Sequence, residues 1–385
     1  MDAPMHVLLC PDSFKGSLSS EEVARAMALG VRAVDERATT ELKPMADGGE
    51  GMADLATRAL GGERRAASVR SSDGSAVTAQ WGWIPTRKMA IVEAASTCGL
   101  NLIAPEARDP WCFDTRGVGD MLRHVLDAGA EKILIGLGGS GTNDAGTGLL
   151  AALGVVFLDA TGKSLAPTPS GLVALDRVDF SHLDPRIENT ALVFLTDVDN
   201  PLTGPLGASV VFGPQKGLAP GTIGEMDARL ATIAQKIAAA RPLNGSTDAS
   251  GMGAAGGLGF ALGAVLGGHC HRGSEYLAEL VGLDAAIERA DVVITGEGAL
   301  DAQTAHGKVV AEVARRARLA RKPVICIAGS VHSSPEQVAQ MGLWGVWGLC
   351  TDGIGVEEAI ARAEELIVKR TTQAVGAWQT ASKMG

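Results

Sequence analysis

Short apolar runs alternate with amphipathic stretches along most of the chain. HVLLC (6–10) is followed by a loop and then by Ser19 and Glu22, whose spacing forms a capping box that predicts a helix over about residues 20–34. TELKPM (40–45) predicts a second strand, and another helix follows it. Strands that alternate with helices in this way predict a parallel sheet with crossover helices.

The pattern changes in the middle of the chain. From Arg65 to about Ala94, strand-like segments follow one another with Asp-Gly and Pro turns and no helix between them. The later elements predicted in this region are strands at 131–138, 155–159 and 191–197 and a helix at about 222–240. This change in the pattern of predicted elements indicates that a second domain is inserted here.

The alternation of strands, glycine loops and helices resumes near the end of the chain, at DVVITGEG (291–298) and PVICIAG (323–329). The predicted fold class is therefore α/β with two domains. Residues 1–75 and 275–385 form a discontinuous Rossmann- or flavodoxin-like parallel-sheet domain, and residues 76–274 form an inserted, mixed α/β domain.

Composition agrees with this organisation. The 385 residues exceed the usual range of about 100 to 200 residues for one domain. Apolar residues make up 46% of the chain, but there are 50 glycines, only seven Phe and one Tyr. The core must therefore be built from small aliphatic side chains on closely approaching backbones, which favours α/β over all-β structure.

The net charge and the distribution of cysteines limit which binding partners and which cellular location are expected. A net charge of −10 repels nucleic acid and anionic lipid, so neither a nucleic acid nor a membrane is an expected partner. The apolar stretch 253–268 is short and rich in glycine, so it predicts a buried helix and not a membrane span. Scattered cysteines without C-x-x-C spacing, and an N-terminus without a signal-like apolar run, predict reduced buried thiols and a cytoplasmic protein.

Acidic residues, mostly beside glycine or hydroxyl residues, follow five of the predicted strands. The segments are PDSFKG (11–16), DGGEG (47–51), GSGTND (139–144), TDVDN (196–200) and GEGALD (296–301). Ligands of α/β sheets bind outside the carboxyl ends of the strands, where glycine admits phosphate oxygens and carboxylates hold a cation. A turn or helix cap explains any single segment, but five together favour a magnesium-nucleotide site.

One lysine and one glycine motif leave alternatives open. Lys15 could neutralise a phosphate or carboxylate, or it could be a solvated surface lysine. Gly136-x-Gly138-x-x-Gly141 matches a dinucleotide fingerprint, which keeps an NAD-dependent oxidoreductase as a second hypothesis. Two features argue against the oxidoreductase hypothesis. The residues after Gly141 predict a helix that starts later than in a dinucleotide-binding fold, and Asp159 leads into a hairpin-like turn. A non-catalytic metabolite-binding protein on the same scaffold is a third hypothesis.

Seven segments, taken in order, resemble the bacterial glycerate kinase family that includes the glycerate 2-kinases. They are CPDSFKGSLSSEEVA (10–24), PMADGGEGM (44–52), GLGGSGTNDAGTGLLAALG (136–154), LTDVDNPLTGPLGAS (195–209), FGPQKG (212–217), GMGAAGGLGFAL (251–262) and ITGEGALDAQTAHGKV (294–309). Together they extend over nearly the whole chain, which makes the resemblance more specific than any one glycine motif.

The resemblance implies ATP-dependent phosphorylation of D-glycerate, in this branch usually at the 2-hydroxyl, which gives 2-phospho-D-glycerate and ADP. It implies that ATP and Mg²⁺ are needed and that D-glycerate is the small-molecule partner. It also implies two α/β domains, one discontinuous and one inserted, with the active site in the cleft between them.

Phosphoryl transfer requires positioning, charge neutralisation and an acceptor for the hydroxyl proton. Asp197 is predicted as general base or Mg²⁺ ligand, and Lys15 as the group that neutralises the carboxylate or the transferring phosphoryl group. Glu297 and Asp301 are further predicted Mg²⁺ ligands. The residues predicted to bind substrate or phosphate are Asp12, Ser13, Asp47, Gly48, Gly49, Ser140, Gly141, Thr142, Asn143, Asp144, Asn200, Gly296, Glu297 and Gly298. For Asp144, helix capping and orientation of a metal-bound water are both open.

Overall fold

A computed structural model describes residues 4–301, 308–351 and 353–382 of the chain. The chain divides into two compact units. The first unit combines Met1–Asp47 with Ser274–Gly385, and the second unit is Gly48–Gly273. The predicted organisation, a discontinuous α/β unit that carries an inserted α/β unit, is what the structure has.

Strands and helices alternate along most of the chain. The strands are β1 (His6–Leu9), β2 (Thr39–Leu42), β3 (Glu63–Arg70), β4 (Ala76–Ile84), β5 (Met89–Glu93), β6 (Lys132–Gly136), β7 (Val156–Leu158), β8 (Arg177–Asp179), β9 (Ala191–Leu195), β10 (His269–His271), β11 (Val292–Leu300), β12 (Val324–Val331) and β13 (Gly345–Gly348). The α-helices are α1 (Ser20–Val34), α2 (Met52–Ala59), α3 (Ala95–Cys98), α4 (Arg116–Asp127), α5 (Thr147–Ala152), α6 (Ala208–Phe212), α7 (Ile223–Ala240), α8 (Leu258–Phe260), α9 (Gly273–Leu280), α10 (Leu283–Arg289), α11 (Val309–Leu319), α12 (Pro335–Met341), α13 (Val356–Ala361) and α14 (Ala363–Ser382). Short 3₁₀ turns connect several of them.

The first unit is built on a five-stranded sheet in the order β13-β12-β11-β1-β2, and every neighbouring pair is parallel. The predicted capping box of α1 is present, because the Ser19 side chain accepts from the Glu22 N–H while Glu22 reaches back to the Ser19 backbone. Parallel pairing brings the carboxyl ends of β1, β2 and β11 to one edge of the sheet. The loops with Asp12 and Asp47 lie at that edge, and Glu297 lies within β11, where it pairs with Ala328 of β12.

Both faces of the first sheet are covered by helices. Val7 and Ile294 point to the face on which α1 and α14 pack, and Met27 and Ile367 join them in one fully buried cluster. The other face is covered by α10 and α11, which contact β1 and β11. Such double coverage explains why the strands are continuous apolar runs instead of alternating ones.

The second unit contains a six-stranded mixed sheet in the order β10-β9-β6-β5-β4-β3. The strands β10, β9, β6 and β5 are parallel, whereas β4 and β3 add antiparallel pairs. A separate antiparallel pair is formed by β7 and β8. Among the largest fully buried side chains are Phe157, Phe194 and Phe260, and the rest of the core is mainly small and aliphatic, as the composition predicts.

The sequence pattern places the first boundary near residue 75, whereas the units divide after Asp47. The difference concerns α2 and β3. Residues of β3 pair with β4 over their whole length, from Glu63 opposite Trp83 to Arg70 opposite Ala76, so this segment packs with the middle of the chain.

The glycine-rich stretch 253–268 forms short buried helical turns that include α8 and a wider turn at Ala261–Val265. None of the helices in the described ranges combines the length and the apolar character needed to cross a membrane. All six cysteines are free thiols, but they are not uniformly buried as the sequence suggested, because Cys112 and Cys270 are exposed.

Candidate active site

In the first unit, the loop after β1 is hydrogen-bonded to the middle of β11. The Asp12 N–H donates to the Gly296 carbonyl oxygen (2.8 Å), and the Ser13 N–H donates to Asp12 Oδ1 (2.7 Å). The adjacent parallel strands β1 and β11 therefore bring Asp12 and Ser13 close to Glu297. The sequence pattern placed Glu297 after a strand, whereas β11 continues through it to Leu300 because this segment pairs with β12.

Carboxylates are crowded at this edge of the sheet. Asp12 and Glu297 are 7% and 6% exposed. Burial, together with the nearby Asp47 and to a smaller extent Glu297, raises the pKa of Asp12 to about 8, although the Ser13 hydrogen bond and Lys15 act in the opposite direction. An added positive charge would relieve this crowding and favour the ionised form of Asp12.

The oxygen ligands at this edge suit Mg²⁺, which commonly takes one or two protein carboxylates and completes its shell with phosphate and water. Within residues 4–301, 308–351 and 353–382, no three His, Cys, Asp or Glu side chains are arranged to hold a metal ion. A closed protein cage for the metal is thus not a feature of the described part of the chain, but the carboxylates fit a metal that arrives with a nucleotide.

Lys15 extends from the same loop. Its side chain is 76% exposed, and its Nζ lies 3.9 Å from Asp47 Oδ2. Lys15 is therefore solvent-accessible and also close to an acidic group. Its position agrees with both interpretations from the sequence, a surface lysine and a cation available to a phosphate or carboxylate.

The glycines of the GEG segment differ in what they do. A Cβ on Gly296 would lie 2.2 Å from the Ile327 carbonyl oxygen, so β12 leaves no room for a side chain there. At Gly298 the nearest atoms belong to the backbone of Phe14 and Lys15, at ordinary contact distance. Asp301 directly follows β11 and is partly buried, and residues 302–307 of the same motif lie outside the described residues.

In the second unit, the glycines at the end of β6 allow another loop to approach. A Cβ on Gly138 would lie 2.5 Å from Gly49 Cα, and one on Gly136 would lie 2.5 Å from the Gly48 carbonyl oxygen. The Gly138 N–H donates to that same oxygen (3.3 Å). Close packing of the 48–51 loop against β6 therefore accounts for glycines that the dinucleotide fingerprint assigns to a cofactor.

Other features also fail to support the dinucleotide alternative. The helix after the glycine loop begins only at Thr147, with Gly146 as its cap residue. Asp159 Oδ1 accepts the N–H groups of Thr161 and Lys163 in its own turn, so it has a local structural partner. A dinucleotide site needs the helix to start at the glycines and the acid to face a ribose.

Asp144 is fully buried and acts as an anchor. Its carboxylate accepts the Thr115 N–H (2.9 Å) and hydroxyl (2.8 Å), and the N–H groups of Gly146 and Gly148 (3.0 Å each). Burial, assisted by Asp114, raises the pKa of Asp144 to about 6 despite these donors. One donor, Gly148, belongs to the first turn of α5, so Asp144 anchors this loop to the start of the helix although Gly146 is the cap residue.

A buried lysine that the sequence analysis did not single out lies beside this loop. Lys216 is 2% exposed and donates to the Ser140 hydroxyl (3.1 Å) and the Thr142 carbonyl oxygen (2.7 Å). Burial lowers the pKa of Lys216 to about 8, while Cys98 and Asp144 oppose that shift. Its position in FGPQKG, one of the seven segments, was the signal that could have drawn attention to it.

Glu93, at the end of β5, is the second residue that the sequence analysis missed. Its Oε1 accepts the Ala53 N–H at the start of α2 (2.6 Å). Burial raises the pKa of Glu93 to about 7, against the hydrogen bonds from Ala53 and Gly51. No motif contains it, but it ends an apolar strand in the same way as the acids that were selected.

Asp197 and Asn200 follow β9. The Gly273 N–H donates to Asp197 Oδ1 (2.8 Å), and Asn200 Nδ2 donates to the Leu206 carbonyl oxygen (2.8 Å). In the same loop, exposed Asp199 accepts from Ser250 Oγ and from Arg272 (2.7 Å each). Polar groups therefore hold this loop in place at the carboxyl end of the sheet.

The structure thus groups the predicted residues within each unit. The first unit holds Asp12, Ser13, Lys15, Asp47, Gly296, Glu297, Gly298 and Asp301, and the second holds Gly48, Gly49, Ser140, Gly141, Thr142, Asn143, Asp144, Asp197 and Asn200. Asn143 Nδ2 donates to Ser209 Oγ (3.0 Å), and Gly141 N–H donates to the Cys98 carbonyl oxygen (2.7 Å), so both are integral to their loop.

Known proteins similar to this chain agree on one family. The glycerate kinase family profile matches residues 7–379. A glycerate kinase of Bacillus subtilis is 39% identical over 97% of both chains, and a glycerate 2-kinase of Escherichia coli is 40% identical over 95% of this chain and 96% of its own.

A solved structure extends the similarity to the fold. A crystal structure of a protein from Salmonella typhimurium LT2, assigned as glycerate kinase 2, superposes with a TM-score of 0.83 at 39% identity. It covers 99% of this chain and all of its own. With these matches and the predicted residues gathered in both units, the chain belongs to the glycerate kinase family.

Proposed function

We propose that this protein transfers the γ-phosphoryl group of ATP to D-glycerate and releases 2-phospho-D-glycerate and ADP. The observation that carries the proposal is the 39–40% identity, over at least 95% of the chain, to relatives named glycerate kinase and glycerate 2-kinase. The 2-hydroxyl is the proposed acceptor because the Escherichia coli relative is named for that position. The free thiols suit a reducing compartment, and we place the enzyme in the cytoplasm.

In the first unit, we assign Lys15 to charge neutralisation. Its ammonium group is exposed and lies next to the cluster of carboxylates, so an anionic ligand can reach it from solvent. Glu297 and Asp301 are the proposed Mg²⁺ ligands there, with Asp12, Ser13 and Asp47 shaping the site. Bound Mg²⁺ would shield the negative charge of the phosphates.

In the second unit, we assign Asp197 to the substrate hydroxyl, as proton acceptor or, through Mg²⁺, as metal ligand. One of its oxygens is held by the Gly273 N–H, which fixes the orientation of the carboxylate. A fixed carboxylate is what a general base requires, because proton transfer depends on geometry first and on pKa second. Asn200 and the 140–143 loop are assigned to substrate or phosphate positioning.

The proposal is tested by incubating the purified protein with ATP, Mg²⁺ and D-glycerate and recording the ³¹P NMR spectrum of the product. A phosphorus on the 2-oxygen couples to one proton, whereas a phosphorus on the 3-oxygen couples to two. L-glycerate under the same conditions is the stereochemical control. Formation of the 3-phosphate would overturn the proposed position, and absence of any phosphoester would overturn the proposed activity.

The two other hypotheses give different outcomes in binding experiments. A ligand that prefers the folded state raises the melting temperature. We expect a shift with ATP and Mg²⁺ and none with NADH. A non-catalytic binding protein would show the shift with ATP or glycerate but form no ADP.

A further inference from the structure

Lys216 is a buried lysine whose ammonium group is used within the second unit. It is 2% exposed and donates to Ser140 Oγ (3.1 Å) and to the Thr142 carbonyl oxygen (2.7 Å). These acceptors lie 76 and 74 residues earlier in the chain. Lysine is almost never fully buried unless its charge has partners. Two hydrogen bonds thus hold the side chain against the Ser140–Thr142 loop.

The chemistry of this contact sets the direction of the Ser140 hydroxyl. An ammonium group has three donors and no acceptor, so Ser140 Oγ must accept. The hydroxyl hydrogen is then left to donate elsewhere, and none of the described residues accepts it. Ser140 itself is 4% exposed and directly follows the exposed Gly139. The serine therefore accepts from Lys216 and keeps its own hydrogen as a donor.

Lys216 makes no ion pair within 4.0 Å among residues 4–301, 308–351 and 353–382. The Cys98 thiol and the Asp144 carboxylate nevertheless raise the pKa of Lys216 against the effect of burial. The nearby Asp144 carboxylate is occupied by donors from Thr115, Gly146 and Gly148. A buried positive charge acts strongly on a neighbouring anion, because the interior screens it poorly.

We propose that Lys216 is a positioning residue that holds the Ser140 hydroxyl as a hydrogen-bond donor to an anionic oxygen of a substrate. That oxygen belongs either to the carboxylate of the acceptor or to a phosphate of the nucleotide. The inference rests on the proposed kinase function and adds a residue that the strand-end pattern did not select. Lys216 acts through Ser140, and the pair recognises the anion as one unit.

The test is a double-mutant cycle with Lys216→Met, Ser140→Ala and the double variant, in which KM is measured separately for D-glycerate and for ATP. A charge-assisted hydrogen bond predicts that each single change raises one of the two KM values about ten- to hundredfold. Because the residues act together, the double variant should be no worse than the more impaired single variant. Lys236→Met, at a half-buried lysine of α7 that pairs with Asp176, should leave both KM values unchanged.

The substrate whose KM rises identifies the anion. Additive effects in the double variant, or unchanged KM values in Ser140→Ala, would overturn the inference. Ser140→Ala keeps the buried lysine in place, so it remains informative if Lys216→Met does not fold. The pH profile adds a readout that a purely structural role would not move: the affected KM of the wild type should rise above pH 8, and this break should disappear in Ser140→Ala.

The groups that face Lys216 do not obscure that profile. Burial raises the pKa of Cys98 to about 11 and that of Asp144 to about 6, so neither changes charge between pH 7 and 9. The melting-temperature shift caused by D-glycerate or by ATP with Mg²⁺ gives a second measure that does not need turnover. A wild type that binds but forms no phosphoester would refute the kinase function alone, whereas an equal shift in wild type and Ser140→Ala would refute the role of Lys216.

Discussion

A Cβ atom on Gly256 would lie 2.1 Å from the carbonyl oxygen of Thr142. The two glycine-rich motifs of the second unit, 136–148 and 251–259, are therefore packed backbone to backbone. The Ala145 N–H donates to the Gly256 carbonyl oxygen (2.9 Å), which joins the segments further. These glycines support the loop that holds Ser140 and Asp144.

Gly256→Ala should destabilise the protein by about 2 kcal/mol or more, because the added methyl group meets backbone and φ is +68°. Chemical denaturation measures the effect. Gly224→Ala is the matched control: Gly224 lies in α7 with no atom within 4 Å of an added Cβ, so the change should be neutral or slightly stabilising. Equal stability of Gly256→Ala and wild type would contradict the packing.

Asp197→Asn should lower kcat at least about a hundredfold, because it removes the proposed proton acceptor. The melting temperature should stay close to that of the wild type, because asparagine has the same shape as aspartate. Steady-state kinetics with ATP and D-glycerate measure kcat. Asp176→Asn, at an exposed aspartate paired with Lys236, controls for the loss of one negative charge in the same unit. A well-folded Asp197→Asn variant with near-normal kcat would refute the assigned role.

Lys15→Ala should reduce kcat/KM by about a hundredfold or more and leave the free energy of unfolding within about 1 kcal/mol, since the exposed pair with Asp47 contributes little to stability. The contrast between activity and stability is what the prediction tests. Lys369→Ala, an exposed lysine of α14, should change neither quantity. Unaltered kinetics in Lys15→Ala would identify Lys15 as an ordinary surface lysine.

Glu93 should make stability depend on pH. Its pKa rises from 4.5 to about 7 on folding because of burial, so the unfolded chain releases the proton first and stability falls as pH increases through that interval. Relative to Glu93→Gln, the wild type should lose up to about 3 kcal/mol between pH 4.5 and 7 and no more above it. Urea denaturation at several pH values measures the difference.

The control for this dependence is Glu106→Gln, at an exposed position in a 3₁₀ turn, which should follow the wild type at every pH. A constant difference between Glu93→Gln and the wild type across the range would mean that folding does not shift the pKa of Glu93.

Local sequence signals predicted those helices and strands whose limits depend on neighbouring residues. The capping box at Ser19 and Glu22 fixed the start of α1, and the apolar runs located β1, β6, β9 and β11. The same signals place the first boundary near residue 75, whereas the compact units divide after Asp47, because residues 63–70 pair with β4. Strand pairing is a contact between distant residues, and no local pattern encodes it.

By itself, the sequence determined the α/β class, the discontinuous organisation and the position of acids and glycines at strand ends, because all of these follow from the periodicity and backbone preferences of neighbouring residues. Only the tertiary structure decided what those residues do locally. It showed that the backbone of Gly49 packs against Gly138, that Asp144 accepts hydrogen bonds from backbone N–H groups, and that Lys216 donates to Ser140. Burial and proximity across the fold create these relationships, and both arise only when distant segments pack.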